Sequence, residues 1–168
     1  MPELRYSGLR WVWVAVLVIA LDLATKWIVD DRLMTFQQVP IIDGLLSLTL
    51  AFNSGAAFSF LADAGGWQRW FFIAVAVGVS LMLIVWMSRL PKDKVMEPIA
   101  LSLVLGGALG NLYDRIVHGH VVDFILVHWQ DQWYFPAFNV ADSAITVGAG
   151  LLIVDMLLSS GKEQESKA

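Results

Sequence analysis

The chain has 168 residues, 58% of them hydrophobic and 15% charged, with a mean hydropathy of +0.66. Values so far from the soluble range exclude an ordinary water-soluble globule and mark an integral membrane protein. A net charge of −4 with scattered basic residues excludes nucleic acid as a partner, and the lack of cysteine excludes disulfides, a thiolate nucleophile and a cysteine metal site.

From Leu9 to Ile28 the sequence is apolar apart from Arg10, Asp22, Thr25 and Lys26. About 20 helical residues cross a hydrocarbon layer of about 30 Å, so residues 9–28 are expected to form a first membrane span. The run is too long for a signal-peptide core and no small-residue cleavage site follows, which predicts a retained helix. Asp22 and Lys26 lie four apart on one helix face, the spacing of an intramembrane ion pair, and a supporting rather than a chemical role is expected for them.

In the connection 29–68, Ile41-Ile42, a turn at Asp43-Gly44 and the run Leu45–Phe52 predict short strands forming a small sheet. Asn53-Ser54-Gly55 then has the composition of a turn, either a plain hairpin or a place where backbone can approach a ligand. Trp67 and Trp70 fit an interfacial aromatic belt ahead of a second span, residues 70–87. A third span covers residues 98–115, with Ser102, Gly106 and Gly110 making a small-residue stripe that lets another helix approach. A fourth covers residues 139–158. Four spans put both termini on one side, and the richer share of Arg and Lys there makes that side cytoplasmic. The expected architecture is therefore one all-α membrane domain over residues 1–168, with four transmembrane helices and a small extracytoplasmic β-sheet between helices 1 and 2.

All the candidate chemistry then falls at the extracytoplasmic end. Asp123 stands within Val121–Val127 and Asp142 follows Phe138-Asn139-Val140-Ala141, so each carboxyl is bracketed by residues that are normally buried. A buried carboxylate is costly unless paired or sharing a proton, so the two are expected to meet. Asn53, Asn111 and Asn139, the three asparagines of the chain, join them at this end, beside Asp114 and Arg115. Asparagine amides can hold carboxylates in register and an arginine fork can pin one. The bland alternative makes Asn139 a helix N-cap with Asp142 in the first turn, and pairs Arg115 with Asp114 or a lipid phosphate.

Other chemistries fit less well. His118, His120 and His128 lack metal-ligand spacing, Ser54, Ser59 and Ser143 lack a serine-hydrolase signature, and Gly106–Gly110 is no phosphate loop because it lies inside an apolar helix. No metal and no cofactor is expected. Paired carboxylates with amide and guanidinium support suit aspartic peptide hydrolysis. A proton-coupled transporter is the main alternative, since intramembrane aspartates also mark relays, but both residues lie at one face rather than at graded depth. A non-catalytic chaperone of membrane-anchored precursors is a third.

The segments Asp22-Leu-Ala-Thr-Lys26, Asn53-Ser-Gly-Ala-Ala-Phe58, Gly106–Arg115, Val121-Val-Asp-Phe124 and Phe138-Asn-Val-Ala-Asp-Ser143 together resemble the lipoprotein signal peptidases, the type II signal peptidases of bacteria, over essentially the whole sequence. The resemblance implies a catalytic dyad of Asp123 and Asp142, with Asn53, Gly55, Asn111, Asp114, Arg115 and Asn139 shaping the substrate site and Asp22 and Lys26 as a structural pair. It also implies cleavage of prolipoproteins on the amino side of a diacylglyceryl-modified cysteine, at the outer face of the bacterial inner membrane, and inhibition by the cyclic peptide globomycin. Membrane lipids are the remaining implied partners.

Overall fold

A computed structural model describes residues 7–55, 65–130 and 132–165, with side chains as far as residue 159. Four long helices carry the fold: α1 (Val12–Arg32), α2 (Trp67–Arg89), α3 (Met96–Val117) and α4 (Val140–Glu165). Each follows from a predominantly apolar run bounded by polar or glycine-containing turns. Gly65 and Gly66, for example, both take positive φ just ahead of α2.

Helix α3 is central and packs against the other three helices. The small-residue stripe explains how, because a methyl group on Gly106 would stand 2.7 Å from Val18 Cβ and 2.9 Å from the Ala15 carbonyl of α1. On the adjoining face, one on Gly107 would overlap the Ala141 carbonyl of α4. Ala15, Leu83, Met87, Leu101 and Leu105 form an apolar core at one end of this bundle.

Among the described residues, three helical segments, Gly8–Arg32, Trp67–Arg89 and Val140–Ser159, are long and apolar enough to cross a membrane. Their outward residues, such as Leu17, Leu81 and Leu157, are exposed. Helix α3 is not among the three. It is enclosed by its neighbours and carries Asn111 and Asp114 buried.

The sheet departs from expectation. The strands predicted in the first connection are present as β1 (Val39–Ile42) and β2 (Leu46–Asn53), joined through Gly44 at φ 71°. The sheet does not, however, belong to the α1–α2 connection alone. It has four antiparallel strands in the order β1-β2-β3-β4, and β3 (Val121–Trp129) and β4 (Trp133–Tyr134) come from the connection between α3 and α4. Strand β3 is buried along most of its length, so it reads as a continuous apolar run rather than an alternating one, and periodicity does not separate such a run from helix. Its pairing with β2 sets Asp123 opposite Ala51 and Val121 opposite Asn53. A second apolar cluster of Val29, Leu50, Val122 and Phe124 fastens the sheet to the end of α1.

Candidate active site

The two aspartates reach the site from different elements. Asp123 projects from β3 and is 3% exposed, while Asp142 occupies the first turn of α4. Asn139 is the residue that joins them. Its side-chain Nδ2 donates to Asp123 Oδ1 at 2.7 Å, its Oδ1 accepts the Asp142 backbone N–H at 2.9 Å, and its own N–H donates to Asp142 Oδ2 at 3.3 Å. The last two bonds make a reciprocal cap of α4. The helix-cap alternative is thus correct for Asn139, and the same cap holds the two carboxylates in register.

Each carboxylate has a second amide partner. Asn53 Nδ2 donates to Asp123 Oδ2 at 3.0 Å, and Asn111 Nδ2 donates to Asp142 Oδ1 at 2.8 Å. All three asparagines therefore converge on the pair. Burial drives the Asp123 carboxyl up to about 7, with the neighbouring Asp142 charge adding to the rise and the Asn53 and Asn139 amides opposing it. The pair meets through shared amides, and no direct hydrogen bond joins the two carboxylates among the described residues.

Asp22 and Lys26 form the expected pair at 2.7 Å, but they are not a simple pair. Lys26 Nζ also reaches Asp114 Oδ2 at 2.9 Å and donates to Asn111 Oδ1 at 2.9 Å. Asp22 Oδ1 accepts the Ala141 N–H at 2.9 Å, and Asp114 Oδ2 accepts the Val122 N–H at 3.1 Å. The buried ammonium thereby fixes which way round the Asn111 amide sits, with its NH₂ toward Asp142. A network read as support for α1 is wired into the dyad.

Arg115 does something other than the sequence suggested. It pairs with neither Asp114 nor a dyad oxygen; Nη2 donates to the Gly55 carbonyl at 2.9 Å, Nη1 donates to the Asn111 carbonyl at 3.3 Å, and the guanidinium stacks over Phe72. It holds the chain after β2 against α3, close enough to Asp142 and Asp123 to feel both charges. The Asn53 turn is an Asx turn, Gly55 N–H donating to Asn53 Oδ1 at 2.9 Å, and Ala56–Phe58 lie outside the described residues. His128 is buried between Ser47 and the Gln130 carbonyl, at the far end of β3 from Asp123.

Asp123, Asp142, Asn53, Asn111 and Arg115 line one groove of about 880 Å³. Its other walls are mostly apolar, formed by Phe36, Phe52, Phe135, Phe138, Ile145 and Val147 beside Ser143 and Thr146. The clustered aromatics of Trp133–Phe138 were the available signal for Phe135 and Phe138.

Apolar spans, a polar interior at one end and an aspartate pair in an apolar groove define a multi-pass membrane protein with a built polar site. The signal peptidase II family matches residues 14–158. Proteins named lipoprotein signal peptidase are similar throughout, one from Pseudomonas fluorescens (strain Pf0-1) at 59% identity over 92% of this chain and 91% of that one. Another, from Pseudomonas aeruginosa (strain UCBPP-PA14), is 60% identical over 95% of each chain. Two solved bacterial membrane enzyme structures superpose with TM-scores of 0.80 and 0.76 at 30% identity, the first covering 91% of this chain and 90% of that one, the second 94% and 97%. The chain belongs to the signal peptidase II family.

Proposed function

We propose that this protein is an aspartic endopeptidase that removes signal peptides from diacylglyceryl-modified prolipoproteins, cleaving on the amino side of the lipidated cysteine. The observation that carries the proposal is the bridging of Asp123 and Asp142 through Asn139 on the floor of one apolar groove. Asp123, pushed up to about 7, is the proton carrier that polarises the scissile carbonyl. Asp142 accepts the proton of the attacking water, its oxygens oriented by Asn111 and the Asn139 backbone and favoured by the N-terminus of α4. Arg115 adds a positive charge beside the tetrahedral oxyanion's surroundings without occupying either carboxylate.

The apolar walls suit a substrate that cannot leave the bilayer. Each buried CH₂ of a lipid anchor is worth about 0.8 kcal/mol, so the enzyme must bring its carboxylates to the membrane surface. In this arrangement all four helices span the bacterial inner membrane, α3 shielded by the others, with the termini cytoplasmic and the groove at the outer face. Reporter fusions at Lys94 and Gln130 should read opposite sides, and a shared side would remove the four-span arrangement. The groove is also the natural seat for globomycin. Cleavage of a lipidated precursor should exceed that of its unlipidated form by at least about 100-fold; equal cleavage of the two would defeat the assignment of substrate.

A further inference from the structure

Phe36 holds a backbone conformation that phenylalanine seldom adopts. It is the third residue of the turn Met34–Gln37, closed by the Gln37 N–H donating to the Met34 carbonyl at 2.9 Å, and its φ is 61°. Glycine is the usual occupant of a left-handed third position, because a Cβ there crowds the following carbonyl. Packing does not explain the exception, since the residue is 75% exposed.

The turn is nonetheless firmly placed. Phe36 N–H donates to the Leu50 carbonyl at 2.8 Å, three residues before Asn53 on β2, and Met34 N–H donates to Gln37 Oε1 at 2.9 Å. The placed ring lines the groove that holds Asp123 and Asp142, in company with Phe52, Phe135 and Phe138. Strain retained at a bulky, unburied residue beside a site is the mark of a functional constraint. A residue needed only as an aromatic at the membrane surface would gain nothing from a left-handed backbone.

We propose that Phe36 is a substrate-gripping residue, its ring closing on the hydrocarbon of the lipidated precursor beside the scissile bond. The inference rests on the peptidase reading. In the free enzyme the ring is left exposed, and burial of that surface against substrate hydrocarbon supplies binding energy.

The test compares wild type with Phe36→Gly and Phe36→Leu in detergent, using a fluorescent diacylglyceryl-modified precursor peptide. Phe36→Gly should raise Tm by a few degrees through relief of the backbone. It should also raise both Kd and KM about tenfold, with kcat within about twofold of wild type. Phe36→Leu, which keeps hydrocarbon in the same strained turn, should show no gain in Tm and a KM within about threefold. Precursors with shortened acyl chains, or with alanine before the cleaved bond, identify the hydrocarbon by whichever arm abolishes the difference between wild type and Phe36→Gly. Unchanged Kd and KM in Phe36→Gly, or a difference that persists in both arms, overturns the proposal. A wild type that binds the precursor without cleaving it would instead bring down the peptidase reading, and the Kd comparison would still decide the role of Phe36.

Discussion

The two ends of the helix bundle solve opposite problems with the same helices. Around Met87, Leu101 and Leu105 the interior is hydrocarbon closely packed, with Ser102 satisfied locally by the Pro98 carbonyl at 2.7 Å. At the other end Asp22, Lys26, Asn111, Asp114, Asp123 and Asn139 are all buried, and each is held by hydrogen bonds or ion pairs from a different element. The first end can be altered by degrees, because a lost methylene costs only its own contacts. The second cannot, because removing one member strands the partners of several others.

The polar end is most sensitive at Lys26. Lys26→Met should destabilise the protein by about 3–5 kcal/mol and leave little cleavage, since it strands two carboxylates and frees the Asn111 amide to turn. Exchanging charges as Asp22→Lys with Lys26→Asp would rescue an isolated pair. Here it sets an aspartate against Asp114, so thermal stability should not recover; recovery to near wild type would show that the three-way junction is not what holds this end together.

Leu101→Ala, at the other end, should lower stability by about 2–5 kcal/mol while cleavage per folded molecule stays within about twofold. A large fall in kcat at full folding would show that the two ends are coupled. The smallest effect is one of pH. The Asp123 carboxyl lies at about 7 in the folded chain against an ordinary value of 3.8. Between those values the folded protein holds a proton the unfolded chain has released, so this group's contribution to stability falls as pH rises from about 4 to about 7 and is level above. Asp123→Asn abolishes that dependence and should gain roughly 1–3 kcal/mol over wild type at pH 8 relative to pH 4, read by thermal melts. Wild-type kcat/KM should decline as pH rises through about 7, when Asp123 loses its proton.

The four long helices, the first two strands and the convergence of Asp123 and Asp142 were legible because each leaves a local mark: apolar runs, a Gly44 turn, and charge inside hydrocarbon. Strand β3 was not, since burial on both faces erases the alternation that marks a strand. The Asp22–Lys26 spacing announced a pair, but nothing local announces that Lys26 also meets Asn111 and Asp114, 85 and 88 residues further on. The contacts of Arg115 are hidden for a related reason. A guanidinium among carboxylates suggests an ion pair, whereas Arg115 donates to the Gly55 and Asn111 carbonyls that only the folded chain brings within reach. Part of the groove's apolar wall was hidden because Phe36 and Phe52 lie far along the chain from the Trp133–Phe138 cluster and aromatic residues are common throughout.

Joint action of Asp123 and Asp142 as acid and base is tested by assaying Asp123→Asn and Asp142→Asn on a diacylglyceryl-modified precursor while melting each variant in detergent. Each substitution preserves side-chain size but removes the titrating carboxyl, so signal-peptide release should fall at least about 10³-fold in variants that still melt cooperatively. Near wild-type release by either variant would contradict the aspartic mechanism.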